Sequence, residues 1–200
     1  MLDLLPAVLW FAVPAVLGGV SHMVVVKKDL FRVLKVPLDA GATFRGRRIF
    51  GDNKTWRGAV YMVVASTLAG LAQAPLAGWA EAAGLDLVGY ARVGARVGLG
   101  AAGGYALIGL LEGVGYVLGE LPNSFLKRRL DIVPGKTGAG ALGALFFLLD
   151  QADSVLGFFL VAWVVWVPPL RVAVAIVLWL TALHVVLNLL LYLARIRRNV

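Results

Sequence analysis

The chain has 200 residues, of which 60% are hydrophobic and only 15% charged, well below the about 25% of an ordinary soluble domain. Its long apolar runs make the bilayer its solvent. Backbone polar groups in hydrocarbon need internal partners, so these runs read as helices of an all-α integral membrane protein. With no cysteine and only two histidines, His22 and His184, disulfides, thiolate zinc centres and cysteine nucleophiles are excluded, and any metal falls to oxygen donors of the kind Mg²⁺ takes.

Residues 4–26 form a first apolar run, long enough to cross about 30 Å of hydrocarbon. No Lys or Arg precedes it, and it is too long for the core of a cleavable signal peptide. Residues 27–36 interleave basic side chains with Leu30, Phe31, Val33 and Leu34, a pattern that predicts a short interfacial helix. A loop then runs to residue 58. The second span covers 59–80, with Pro75 near its far end, and the third covers 93–118. Residues 119–138 read as a second loop. The segment 139–167 would extend about 43 Å as one helix, too long for a simple crossing, and it holds Asp150 and Asp153. It is therefore expected to break near 150–153, with 138–149 dipping into or lying on the membrane and 154–167 crossing it; Pro168-Pro169 ends that crossing. Residues 170–193 form the last span. The whole is one membrane domain, 1–200, with about five transmembrane helices.

The net charge is +8. Of the 19 Lys and Arg residues, all but Arg92, Arg96 and Arg171 fall in loop 27–58, loop 119–138 or the tail with Arg195, Arg197 and Arg198. The positive-inside rule then puts the basic side in the cytoplasm, the N-terminus outside and the C-terminus inside. A basic balance suits nucleic acid, anionic lipid or a phosphorylated substrate; in a membrane chain the position of the charge decides, and no nucleic-acid partner is expected.

Two motifs are decoys. Gly135-Lys136-Thr137 lacks the earlier P-loop glycine, since position 130 is Leu, and no strand precedes it. Gly98, Gly100 and Gly103 match a dinucleotide fingerprint only by spacing. Glycines four apart at Gly94/Gly98, Gly100/Gly104, Gly109/Gly113 and Gly115/Gly119 read better as close helix packing. Glu112 lies inside the third span, where a carboxylate is costly and often functional; facing a polar cavity or pairing with a basic neighbour is the plainer reading.

Four polar clusters carry the chemistry. The run Arg45-Gly-Arg47-Arg48-Ile-Phe-Gly51-Asp52-Asn53-Lys54-Thr55-Trp56-Arg57-Gly58 combines cations, hydroxyl and amide groups just before a helix start, which suits phosphate. Glu120, Asn123, Ser124, Lys127, Arg128, Arg129 and Asp131 form the second, with Ser124, Lys127 and Arg128 spaced to share a helix face. Asp150 and Asp153, three apart, could present two carboxylates to one divalent cation; the plainer alternative is a pair of interfacial acids, Asp153 capping the following helix. Thr181, His184, Asn188 and Tyr192 make a polar stripe on the last span, suited to bonding a neighbouring helix or to joining the site.

On these residues the sequence resembles the CDP-archaeol synthase family, which is similar to the CDP-diacylglycerol synthases (phosphatidate cytidylyltransferases). The matching strings are Pro37-Leu-Asp39-Ala-Gly41, Arg47 to Gly58, Ser124-Phe-Leu-Lys127-Arg128-Arg129-Leu130, Leu149-Asp150-Gln151-Ala-Asp153, and His184 with Asn188 and Tyr192. The family's second motif usually begins Gly-Asp; here it reads Gly119-Glu120. Residues 135–149 are also longer than the family's usual link. The resemblance implies a CTP-dependent cytidylyltransferase that converts a lipid phosphate, like archaetidic or phosphatidic acid, to a CDP-lipid plus pyrophosphate, with Mg²⁺, alone or with a second cation. It implies CTP, a membrane lipid phosphate and membrane lipids as partners, a possible homodimer, and a multi-pass place in the cell membrane with the site facing the cytoplasm. Asp150, Asp153 and Glu120 are then the expected metal ligands. Lys127, Arg128 and Ser124 would neutralise and bond the triphosphate, and Lys54, Thr55, Arg57, Asp52, Arg129 and Asn123 would bind substrate. The rival reading is a non-catalytic lipid-phosphate binding or transport protein of the same fold. A transporter would place its charges at mid-membrane, whereas here they gather at one surface.

Overall fold

In the computed structural model, which describes residues 1–196, five helical segments are long and apolar enough to cross a membrane: 2–27, 56–82, 100–129, 140–162 and 170–193. Arg197 and Arg198 of the basic tail lie outside the described residues. Helix α1 spans Leu5–Lys27, α2 Trp56–Gln73, α3 Ala77–Ala82, α4 Tyr90–Arg96, α5 Gly100–Arg129, α6 Gly140–Ala162 and α7 Leu170–Leu193. Strands β1, Thr43–Phe44, and β2, Arg47–Arg48, pair antiparallel in the loop before α2, with Thr43 opposite Arg48.

Pro14 removes a donor from the middle of α1. The carbonyl of Trp10 accepts instead from the Gln73 amide at 2.9 Å, so a sequence defect in one helix is met by a polar side chain of the next. Helix α1 stops at Lys27 because Asp29 and Phe31 take the left-handed conformation, with φ of 48° and 51°. The interfacial helix expected over 27–36 is therefore absent, and only the 3₁₀ turn Arg32–Leu34 forms there. Thr55 caps α2, its hydroxyl accepting from the Gly58 N–H at 3.3 Å.

The other differences concern length. Residues 119–129, expected to be loop, continue α5, which carries Pro122 inside it. At 30 residues α5 is about 45 Å long, beyond the hydrocarbon thickness, so its last turns reach past the apolar slab. Helix α6 runs unbroken through Asp150 and Asp153, so the expected break is absent and Asp153 is no N-cap. The overlong segment is resolved at its other end, where residues 163–169 leave the helix.

Glycines set the helix spacing. A Cβ at Gly109 would overlap the Ser66 carbonyl, and one at Gly113 would press on Val63 of α2. Gly115, Gly119 and Gly157 let α5 and α6 touch backbone to backbone, and Gly94 and Gly104 do the same for α4 and α5. The core of Val8, Phe11, Ile108, Phe158, Ala162 and Ile176 fills the end away from the basic loops. Tyr90 stacks on Tyr105 there, with ring centroids 4.0 Å apart.

Candidate active site

The close α5–α6 packing has a chemical result. Asn123, Ser124, Lys127 and Arg128 lie on one buried face of α5, and Asp150 and Asp153 on the facing side of α6. Lys127 Nζ lies 2.5 Å from Asp150 Oδ1 and 2.6 Å from Oδ2. The Asn123 amide nitrogen donates to Asp150 Oδ1 at 2.7 Å and to Asp153 Oδ2 at 2.8 Å. Ser154 donates to Asp153 Oδ1 at 3.1 Å. The two carboxylates thus converge under one amide, as their i, i+3 spacing requires.

Arg128 differs from its neighbours. It is only 7% exposed, yet its Nε and Nη1 have no partner among the described residues. A buried donor left without an acceptor costs about 1–3 kcal/mol, so the guanidinium is built for an oxygen-rich anion. Asn123 Oδ1 is likewise buried and without a partner.

The loop between α1 and α2 closes the mouth of the site. Its anchor is Asp39, whose side chain is fully buried. Asp39 accepts from the backbone N–H of Gly41, Phe50 and Gly51 at 3.1, 2.9 and 3.0 Å, and from Arg48 Nη2 at 2.5 Å. Burial alone would raise the pKa of this carboxyl, but Arg48 and the three N–H groups outweigh it and hold the group well below the usual carboxylate range. Asp39 therefore folds the phosphate-suited run into a fixed shape. Arg129 staples the same loop from α5, donating to the carbonyls of Phe44, Arg47 and Arg48, and Arg47 pairs with Asp131 at 2.6 Å.

Several expected substrate ligands have other occupations. Arg57 is buried against Asp29 Oδ1 at 2.8 Å and the Leu30 carbonyl at 3.1 Å, so it ties the start of α2 to the end of α1 rather than facing the cavity. That pairing, with Lys35, holds the Asp29 carboxyl below its ordinary range. Asp52 is exposed and pairs with Arg48 at 2.6 Å. Arg129 is the loop staple, and Thr55 is both helix cap and cavity wall. Lys54 reaches the site but pairs with Glu120. Among the described residues no three carboxylate or imidazole groups stand together as a metal cluster, and Glu120 is paired with Lys54. Two carboxylates still fit Mg²⁺, which is usually held by one or two protein carboxylates together with phosphate oxygens and water.

These groups form the mouth of a cavity of about 460 Å³. Its mouth is lined by Lys54, Asn53, Glu120, Lys127, Arg128, Asp150 and Asp153, and its depth by α1, Phe158 of α6 and Leu180, Leu183 and Leu187 of α7. Glu112 marks the deep end, its Oε2 accepting the Ala15 N–H at 2.9 Å. Of the stripe on α7, His184 and Asn188 bond α6 and line the cavity, whereas Tyr192 is exposed and Thr181 Oγ1 has no partner among the described residues. Asn188 donates to Gln151 Oε1 at 2.8 Å, and a His184 ring nitrogen meets the Gln151 carbonyl at 3.2 Å. His22 and Asn53 line the mouth without having been singled out as ligands. Gly58 makes room for His22: a Cβ there would stand 3.2 Å from the imidazole, a contact that the sequence does not announce.

A family model described as CarS-like CDP-archaeol synthase matches residues 1–199. Among curated proteins, the CDP-archaeol synthase of Methanocaldococcus jannaschii is 30% identical over 155 residues, covering 77% of this chain and 73% of that one. The CDP-archaeol synthase of Methanoculleus marisnigri is 39% identical over 126 residues, covering 62% of this chain and 61% of that one. A solved structure reported as an intramembrane enzyme for archaeal membrane lipid biosynthesis aligns with a TM-score of 0.59 at 26% identity, over 90% of each chain.

Proposed function

The chain belongs to the CDP-archaeol synthase family, and on that premise we propose that its cavity joins the phosphate of a membrane lipid to the α-phosphorus of CTP, releasing pyrophosphate. An ionised oxygen of the lipid phosphate attacks the α-phosphorus. The bond from that phosphorus to the bridging oxygen breaks, and its electron pair leaves with pyrophosphate. The nucleophile is already an anion, so no strong base is required, and catalysis is alignment and charge neutralisation.

The chain's own groups divide the work. Arg128 takes phosphate oxygens with its free Nε and Nη1, Lys127 adds charge from the next position on α5, and Ser124 offers a hydroxyl. Lys54, at the rim, takes the lipid phosphate in exchange for Glu120. Asp150 and Asp153 would hold Mg²⁺, which supplies further charge to the triphosphate. The leucines of α7 and the apolar face of α1 shelter the lipid chains.

One observation carries this reading: a buried guanidinium with two unmet donors lies at the mouth of a cavity whose depth is apolar. That combination takes an anionic headgroup with an oily tail. The test incubates purified protein with labelled CTP, Mg²⁺ and a panel of lipid phosphates. Formation of CDP-lipid with stoichiometric pyrophosphate is expected, lost in Arg128→Ala. Lipid binding without product from any lipid would instead favour a non-catalytic carrier.

Placement belongs to the same proposal. The basic loops gather at one end of the bundle, and the positive-inside rule puts that end, with the site, on the cytoplasmic side of the cell membrane, where CTP is made. A homodimer is carried as well: the outer face of α7 exposes Leu178, Leu189 and Leu193, which meet either lipid tails or a second copy. Native mass in detergent separates the two.

A further inference from the structure

Most membrane-spanning glycines of this chain serve helix contact. A Cβ at Gly18, Gly70, Gly113 or Gly157 would press into a neighbouring helix. Gly19 is different. It lies in the middle of α1 and lines the cavity, and a Cβ built there meets nothing within 4 Å. Glycine weakens a helix interior relative to almost any residue with a side chain. At Gly19 no packing contact offsets that weakness, and what the missing side chain leaves is width in the cavity.

The depth of that width is informative. Four residues below Gly19, the N–H of Ala15 bonds Glu112 at the cavity's deep end; three residues above, His22 lines the mouth. At the rise of a helix these are about 6 Å and about 4.5 Å away. Gly19 thus stands just beneath the headgroup, where the chains of a two-chain lipid leave their common backbone side by side. Leu183 and Leu187 of α7 line the same cavity with large side chains.

We propose that Gly19 sets the girth of the lipid slot, so that the cavity admits lipid phosphates carrying two chains. The proposal rests on the cytidylyltransferase reading and adds a selectivity determinant to it. The space beside Gly19 is free for a Cβ, so Gly19→Leu starts its side chain into the cavity. Gly19→Ala is the graded variant. Leu17→Phe adds comparable bulk on the outer face of the same helix, where Leu17 is 53% exposed, and serves as the control.

The experiment uses the full chain, checked for a single gel-filtration peak, with one-chain and two-chain lipid phosphates of equal chain length. Two readouts are taken: CDP-lipid formation, and binding of radiolabelled lipid phosphate without CTP. Gly19→Leu should raise KM for the two-chain lipid at least 10-fold and leave one-chain kcat/KM and the KM for CTP within twofold. Gly19→Ala should fall between, and Leu17→Phe should match the parent protein. Equal losses on both lipids, or no change in Gly19→Leu, overturn the proposal; if Gly19→Leu does not fold, the same comparison on Gly19→Ala decides. If the parent protein makes no CDP-lipid at all, the catalytic reading fails and the binding arm alone decides Gly19. A 10-fold weaker hold on the two-chain lipid in the variant supports it, and unchanged binding overturns it.

Discussion

Lys127 and Asp150 form a two-pronged ion pair from α5 to α6, 2.5 and 2.6 Å long, with Lys127 almost wholly buried. The pair exists only because the two helices meet backbone to backbone at Gly119 and Gly157. It fixes one carboxylate of the carboxylate pair beside the cation that follows it along the wall.

Asp150→Asn and Asp153→Asn are each expected to lower CDP-lipid formation by ~100-fold, the scale of losing one preorganised charged group from a phosphoryl-transfer site. Folding should persist, because an amide can still bond Lys127 or Asn123. Rates are measured beside thermal unfolding in detergent. Wild-type rates in both variants would remove the metal assignment.

Lys54 and Arg57 are three residues apart in one motif, yet the structure separates their roles. Lys54→Ala should raise KM for the lipid phosphate roughly 10-fold with little change in melting temperature, the cost of about one charged contact. Arg57→Ala should do the reverse. It removes the buried tie between the start of α2 and the Asp29–Leu30 turn, although Asp29 keeps Arg32 and Lys35, so the melting temperature should fall while the folded fraction keeps its kcat/KM. A kcat/KM collapse in well-folded Arg57→Ala would place that guanidinium at the substrate instead.

Gly119→Leu drives a side chain into the main chain at Asp153. The backbone cannot yield as a flexible side chain would, so the loss should reach about 3 kcal/mol or more. Lys127–Asp150 geometry should fail with it. Thermal unfolding and activity should fall together, and a stable, active variant would mean that the helices can separate without harm.

Asp39 governs the pH response of the loop before α2. Its folded-state pKa is depressed, so its contribution is fully present above the unfolded value near 3.8 and is lost only as pH falls through the lower, folded value. Hydrogen exchange at the Phe50 and Gly51 amides should therefore stay protected, after correction for intrinsic rates, down to pH 4. Asp39→Asn should lose that protection at neutral pH. Protection lost already between pH 6 and 5 would contradict the assignment.

The five spans were readable because hydrocarbon imposes one rule on every residue of a crossing, and the glycine spacing announced the helix contacts. The end of α5 was not, because Pro122, Asn123 and Ser124 carry the local chemistry of a loop; what keeps them helical is Asn123 meeting Asp150 and Asp153 on another helix. The unbroken course of α6 was hidden for the reciprocal reason: two acids in an apolar run look like a break until Lys127 is known to face them. Membership of the site was legible for Ser124, Lys127, Arg128, Asp150 and Asp153. It was not for Arg57, whose partner Asp29 lies 28 positions away behind a left-handed turn that composition does not announce.

The continuity of α5 has an energetic meaning for the lipid. One rigid rod carries Glu112 at the oily end and Arg128 at the watery end, about 24 Å apart along the axis, so the reacting phosphate can be met at the depth where it already floats. Pulling a lipid out into water would cost roughly 0.8 kcal/mol for each methylene exposed, more than ten kcal/mol for a long chain. By bringing the nucleotide to the bilayer rather than the lipid to the nucleotide, the bundle leaves that barrier out of the reaction path.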